Sequence, residues 1–213
     1  MTERARSVRL WNIANIITMI RIFCIPAIIV LLLLIEPEPG FSWLKPGLIQ
    51  ATGWNQQYCF IAAFLFLFAS ATDYLDGYLA RKYDLVTNLG KLLDPLADKL
   101  LVMAAMIMLV ELAWLPGWMV VVIIGRELFI TALRGIATTE GIVIAASQLG
   151  KFKTAFQVIA LSFVILHYNL DVVSGTTLHP SSVGMILFII AFIFTVWSGL
   201  DYFLKFWPQL VKE

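Results

Sequence analysis

The sequence predicts an all-α integral membrane protein with six transmembrane helices, and three observations carry that prediction. First, 61% of the 213 residues are hydrophobic and only 14% charged, with a mean hydropathy of +0.89, whereas a soluble domain is roughly 25% charged. Second, the apolar residues gather into six runs of spanning length, which is about 20 residues for a helix. Third, the runs are continuous rather than alternating, and an open sheet cannot satisfy its backbone in lipid, so each run reads as a helix. The chain is expected to form a single membrane domain over residues 1–213, with no room left for a separate soluble unit. Composition excludes a soluble globule and a disordered chain. The 15 Lys and Arg against 14 Asp and Glu leave a net charge of +1, too little basic surplus to hold a nucleic acid.

The elements follow in order. Arg4, Arg6, Arg9 and Trp11 precede the first run and form a short juxtamembrane segment, since cationic and indole side chains favour the headgroup zone. The run from 16 to 35 is too long for the apolar region of a signal peptide. It is followed by Glu36, Pro37, Glu38 and Pro39, which offer no small-residue cleavage site, so it is read as a retained first span. A loop rich in Pro and Gly leads to further spans at about 58–80, 92–113, 117–137, 149–168 and 184–206.

Charge sets the orientation. Counting the spans in order, Arg4, Arg6, Arg9, Arg81, Lys82, Lys91, Arg134, Lys151, Lys153, Lys205 and Lys212 fall on one side, and Lys45 on the other. The positive-inside rule then makes both termini cytoplasmic, together with the loops between spans two and three and between spans four and five. Trp43, Trp54, Trp114 and Trp118 fall at or near the opposite interface. His167 and His179 also lie on that outer side, where surface polarity is the expected role. Cys24 and Cys59 sit inside apolar runs without metal or disulfide spacing, so they are expected to pack as small hydrophobes.

One stretch violates the membrane pattern: ATDYLDGYLARKYDLVTNLGKLLDPLADKL, residues 71–100. Asp73 and Asp76 are three apart near the cytoplasmic end of span two, and Asp94 and Asp98 four apart at the start of span three. On helices, each spacing puts both carboxylates on one face. Two antiparallel helices joined by a short loop can then bring four carboxylates together, at a cost of roughly 3 kcal/mol per Asp at membrane depth if unpaired. A carboxylate-only set without His or Cys suits hard divalent ions such as Mg²⁺, Mn²⁺ or Ca²⁺. Four negative charges match two such ions. Gly77 and Ala80 leave room for a ligand to approach the backbone, Gly90 relaxes the approach to Asp94, and the Arg81 guanidinium is suited to clamping a diphosphate. Two other readings compete: a solvated charge cluster in which the acids pair with Arg81, Lys82, Lys91 and Lys99, and an ion or proton pathway. Acids facing inward on adjacent spans favour function, and their crowding at one interface disfavours a pathway.

These residues resemble the signature of the CDP-alcohol phosphotransferase family: DxxDGxxAR, eight residues, then GxxxDxxxD. Asp73, Asp76, Gly77, Ala80, Arg81, Gly90, Asp94 and Asp98 match every fixed position. The resemblance implies a six-helix membrane fold and transfer of a phosphoalcohol group from a CDP-linked donor to an alcohol, with release of CMP, at a cytoplasm-facing site. It implies two divalent cations, Mg²⁺ or Mn²⁺, held by Asp73, Asp76 and Asp94. Asp98 would be a further ligand or the general base facing the acceptor hydroxyl. A CDP pocket would be lined by Asp76, Gly77, Ala80, Arg81 and Gly90. It also suggests a homodimer.

Outside the signature, NIITMIRIFCIP with Asn15, Thr18, Arg21 and Pro26, and the segments GRELFITALRG and LGKFKTAFQ, look most like members that join CDP-diacylglycerol to glycerol 3-phosphate. That acceptor's dianionic phosphate calls for cations besides the metals. Arg126 and Arg134, eight apart on span four, and Lys151 and Lys153 at the start of span five are the candidates. Lys151, Lys153 and Arg134 have an equally good reading as positive-inside anchors. Arg126 lies deeper, and its neighbour Glu127 is expected on another side of the helix, a poor intrahelical partner. The rival acceptors are serine, inositol phosphate and phosphatidylglycerol, and the rival outside enzymes is a small cation transporter. A bacterial inner membrane is the expected location, because no transit-peptide-like extension precedes span one.

Overall fold

Each of the six apolar runs forms a helix. A computed structural model of the chain describes residues 13–35, 54–82, 88–139, 148–167, 170–172 and 176–210. Its helices are α1 (Ile13–Leu33), α2 (Trp54–Lys82), α3 (Asn88–Glu111), α4 (Gly117–Thr139), α5 (Gln148–Ile165) and α6 (Pro180–Leu210). Among the described residues, two are long and apolar enough to cross a membrane by length and composition, over Ile16–Leu33 and Pro180–Leu204. Between α5 and α6, strands β1 (Leu170–Val172) and β2 (Thr176–Leu178) pair antiparallel, Leu170 opposite Leu178 and Val172 opposite Thr176. This hairpin departs from the all-α expectation. Strands of three residues are too short to leave a period-two pattern in the sequence.

Helix α1 packs against both α2 and α3, which touch each other far less. It thus forms the seam between the two helices that carry the signature. Helix α5 runs along α6 and also meets α2, while α4 lies against α6 and α3. The shared core is built from Cys59, Ala62 and Phe66 of α2, Leu101, Ala105 and Leu109 of α3, Ala160, Leu161 and Val164 of α5, and Phe188 of α6. Alanines at these contacts let helix backbones approach closely, the usual device where lipid removes the hydrophobic drive for helix pairing. The outward faces are as apolar as the core. Phe23, Phe64, Val121, Trp197 and Leu204 are all exposed, the arrangement expected of surfaces that meet acyl chains rather than water. Two buried hydroxyls close on their own helices: Thr195 Oγ1 donates to the Ala191 carbonyl at 2.6 Å and Ser162 Oγ to that of Val158 at 2.9 Å. These two groups are thereby satisfied without water. Cys24 and Cys59 are free and buried, as expected.

Helices α5 and α6 approach closely at Gly184. A Cβ at Gly184 would lie 2.6 Å from the Val164 nitrogen and 2.8 Å from the Phe163 carbonyl carbon, and neither backbone atom can yield without moving a helix. Gly184→Ala is therefore expected to destabilise the bundle by about 1–3 kcal/mol through overpacking, read as a lower Tm of the purified protein in detergent. An unchanged Tm would contradict this helix contact.

The turn between α3 and α4 is tight. Ala113 adopts a positive φ of 58°, a conformation that costs a residue with a Cβ. The Trp114 and Leu115 amides both return to the Leu109 carbonyl, at 2.8 and 3.1 Å. Sequence reasoning placed Trp114 at the interface and His167 on the outer surface. Both are buried, and their rings stack with centroids 4.2 Å apart. They lie at the end of α3 away from Asp98, where this turn and the end of α5 cover each other's rings, a pairing between helices that hydropathy does not encode.

Candidate active site

The signature maps onto two helices. Asp73, Asp76, Gly77, Ala80 and Arg81 belong to the C-terminal part of α2, and Gly90, Asp94 and Asp98 to the N-terminal part of α3. Of the signature side chains, that of Asp98 is described. Those of Asp73, Asp76, Ala80, Arg81 and Asp94 lie outside the described residues, as does that of Lys151, and the surroundings of Gly77 and Gly90 do too. The all-carboxylate character of the donor set fits Mg²⁺ or Mn²⁺.

Asp98 is half-buried and lines an open cleft of about 430 Å³, mouth included. Its other polar lining residues are Lys99, Glu127, Lys153, Thr154 and Gln157, over a floor that includes Val102, Met106 and Ile123. Three elements converge here. Helix α3 contributes Asp98 and Lys99, α4 contributes Glu127, and the first turns of α5 contribute Lys153 and Gln157. Lys99 Nζ donates to Thr131 Oγ1 of α4, and Thr131 in turn donates to the Glu127 carbonyl at 2.7 Å. Gln157 Nε2 meets the Met106 sulfur at 3.4 Å.

Two of the four expected phosphate-binding cations meet in this region. Lys153, only 4% exposed, donates to Glu127 Oε2, and the same oxygen accepts from Arg126 Nη1 at 3.1 Å. This corrects the expectation that Glu127 is a poor partner for Arg126. Adjacent Cβ atoms do diverge on a helix, but both side chains are long, and the shared ligand Lys153 on α5 draws the carboxylate to the seam. Arg126 also donates from Nη2 to Ser198 Oγ of α6 at 2.7 Å. Its stem lies against Gly199, where an added Cβ would approach Cγ to 3.0 Å. Arg134 is held elsewhere. It is exposed, donates from Nε to the Tyr202 hydroxyl at 3.2 Å, and its guanidinium carbon lies 5.4 Å from that ring's centroid.

Ser198, Gly199 and Tyr202 were not anticipated. Their signal in the sequence is the four-residue step from Ser198 to Tyr202, which puts two hydroxyls on one face of a mostly apolar helix. A second residue gains weight from the structure. Arg21 of α1 is fully buried, and its Nε donates to the Ala69 carbonyl at 3.2 Å, which also accepts from Thr72 Oγ1 at 2.6 Å. Ala69 stands one helical turn ahead of Asp73. The guanidinium thus ties α1 to the turn of α2 that leads into the signature.

The sequence model of a family described as CDP-alcohol phosphatidyltransferase matches residues 11–197. A CDP-diacylglycerol–glycerol-3-phosphate 3-phosphatidyltransferase of Bacillus subtilis (strain 168) is 45% identical over 204 residues, covering 94% of this chain and 98% of that protein. Proteins of the same name from Rickettsia bellii (strain RML369-C) and Mycoplasma genitalium (strain ATCC 33530 / DSM 19775 / NCTC 10195 / G37) are 35% and 33% identical. They cover 90% and 93% of this chain, and 93% and 85% of their own lengths.

Proposed function

The chain belongs to the CDP-alcohol phosphatidyltransferase family, and from that premise we propose that it transfers the phosphatidyl group of CDP-diacylglycerol to glycerol 3-phosphate, giving phosphatidylglycerophosphate and CMP. The observation that carries this reading is the cleft in which the last signature aspartate, Asp98, faces the Lys153–Glu127 pair. An acid able to take a hydroxyl proton and cations able to hold a phosphate share one small space, as a phosphorylated alcohol requires.

In this mechanism Asp73, Asp76 and Asp94 would hold two divalent ions, Mg²⁺ or Mn²⁺, with Asp98 a further ligand or the general base. When bound, these supply charge neutralisation for the diphosphate and for the leaving CMP. Asp76, Gly77, Ala80, Arg81 and Gly90 line the cytidine diphosphate pocket, with Arg81 on the diphosphate. Arg126 and Lys153 orient the acceptor phosphate, with Lys151 a further cation at the start of α5, while Arg134, held by Tyr202, takes no part. Asp98 accepts the proton of the acceptor's primary hydroxyl as its oxygen bonds to the β-phosphorus, and the bond from that phosphorus to CMP breaks. No covalent enzyme intermediate is needed.

The helices are arranged as six spans, with both termini, the α2–α3 loop and the α4–α5 loop on the cytoplasmic side of a bacterial inner membrane, and the protein works as a homodimer. The distribution of Lys and Arg and the apolar outer surface support this placement. The test is direct. Purified protein is given labelled CDP-diacylglycerol with glycerol 3-phosphate, serine, inositol phosphate or phosphatidylglycerol, and the lipid product is identified. Phosphatidylglycerophosphate is expected with equimolar CMP. Reaction only with another acceptor, or cation flux in proteoliposomes without CMP release, would overturn the assignment.

A further inference from the structure

We propose that Glu127 is an internal competitor for the acceptor's phosphate: its carboxylate occupies the cationic seat in the ligand-free protein and is displaced when a phosphate arrives. The inference rests on the reading of Arg126 and Lys153 as the acceptor-phosphate pocket and adds to it what fills that pocket beforehand.

Three observations converge. Arg126 Nη1 and Lys153 Nζ both donate to one oxygen, Oε2 of Glu127, which is how two cations on different helices would share a phosphate oxygen. Lys153 is almost fully enclosed, with a side-chain exposure of 4%. An ammonium at that depth needs an anionic partner at all times, because leaving it uncompensated costs several kcal/mol. Among the three partners Glu127 is the most exposed, at 30% against 14% for Arg126, so it is the group able to leave for water. Arg126 is fixed from the other side by Ser198 and closed in by Gly199, and cannot follow it.

A phosphate dianion carries more charge and more acceptor oxygens than a carboxylate, so it can replace Glu127 on both cations at once. A weaker anion gains too little to do so. Glu127 is in this sense a specificity-determining residue. It weakens absolute affinity for every anion and leaves the pocket responsive to those that outcompete a carboxylate.

A purely structural carboxylate and a competing one predict opposite signs. Binding of inorganic phosphate to the purified protein is measured by calorimetry and by the rise in Tm that phosphate produces. Glu127→Gln is expected to bind phosphate roughly tenfold more tightly, the scale of a charge-assisted hydrogen bond removed from the competing state. The phosphate-dependent rise in Tm should be correspondingly larger than in the unsubstituted protein. Unchanged or weaker binding would overturn the proposal. If Glu127→Gln folds poorly alone, added phosphate should restore its Tm by replacing the missing carboxylate, and a chain that phosphate does not rescue would also overturn it. Arg126→Ala separates the two layers of the argument. If it leaves phosphate binding unchanged, the pocket reading itself fails. If it weakens binding while Glu127→Gln does not tighten it, the competitor role alone fails.

Discussion

Asp98→Asn is expected to lower kcat for CMP release by roughly 10²–10⁴-fold, the span associated with loss of a positioned general base. Asparagine is nearly isosteric and keeps an acceptor oxygen, so the cleft walls contributed by Val102, Met106 and Ile123 have no reason to move. What disappears is the ability to take the acceptor's proton, together with one negative charge of the four-aspartate set. The measurement is single-turnover CMP release with Mg²⁺ or Mn²⁺ and both substrates saturating, beside a Tm that shows the variant folded. Near-normal turnover would contradict both the base assignment and the two-metal reading of the cluster.

The second large effect concerns the acceptor. Arg126→Ala is expected to raise the KM for glycerol 3-phosphate about 10–100-fold, consistent with losing a charge-assisted contact of roughly 1.5–3 kcal/mol. The KM for CDP-diacylglycerol should change far less, because the pocket proposed for it lies on α2 and α3. Arg126→Lys should not restore the wild-type value. An ammonium cannot reach Ser198 and the phosphate simultaneously in the fork geometry that guanidinium provides. Equal increases in both KM values would place Arg126 in the general scaffold instead.

The sequence made the six helices legible because continuous apolar runs leave few alternatives in lipid, and the starts differ from expectation by a few residues, as at Trp54 and Pro180. The aspartates were legible for the opposite reason: charge is scarce in this chain, so the pairs Asp73/Asp76 and Asp94/Asp98, at helical spacing, stand out. What the sequence concealed was lateral. Arg126 and Arg134 announced themselves as cations, yet their partners Ser198 and Tyr202 sit 72 and 68 residues away in a span whose hydropathy carries no trace of the pairing. Helical spacing rules describe Cβ directions. They do not foresee that Glu127 is pulled round by Lys153 from a neighbouring helix, or that Trp114 and His167 bury each other. Pairing between helices is decided by which faces meet, and one chain's periodicity does not encode that choice.

The tight turn at Ala113 has a bearing on the cleft at the other end of the same two helices. Lys99 and Thr131, which bond to each other, stand equally far along the chain from Leu115, so α3 and α4 behave as the two limbs of a hairpin gauge zeroed at that turn. The cleft lies about 24 Å from it at 1.5 Å per residue. Inserting one residue within α4 between Gly117 and Val122 would advance the rest of α4 relative to that turn by about 1.5 Å and rotate it by about 100°. Glu127 and Arg126 would swing away from Lys153 and Ser198, with no change to any residue of the cleft. A bend on the far side of the protein therefore calibrates the register in which acid and cation confront each other.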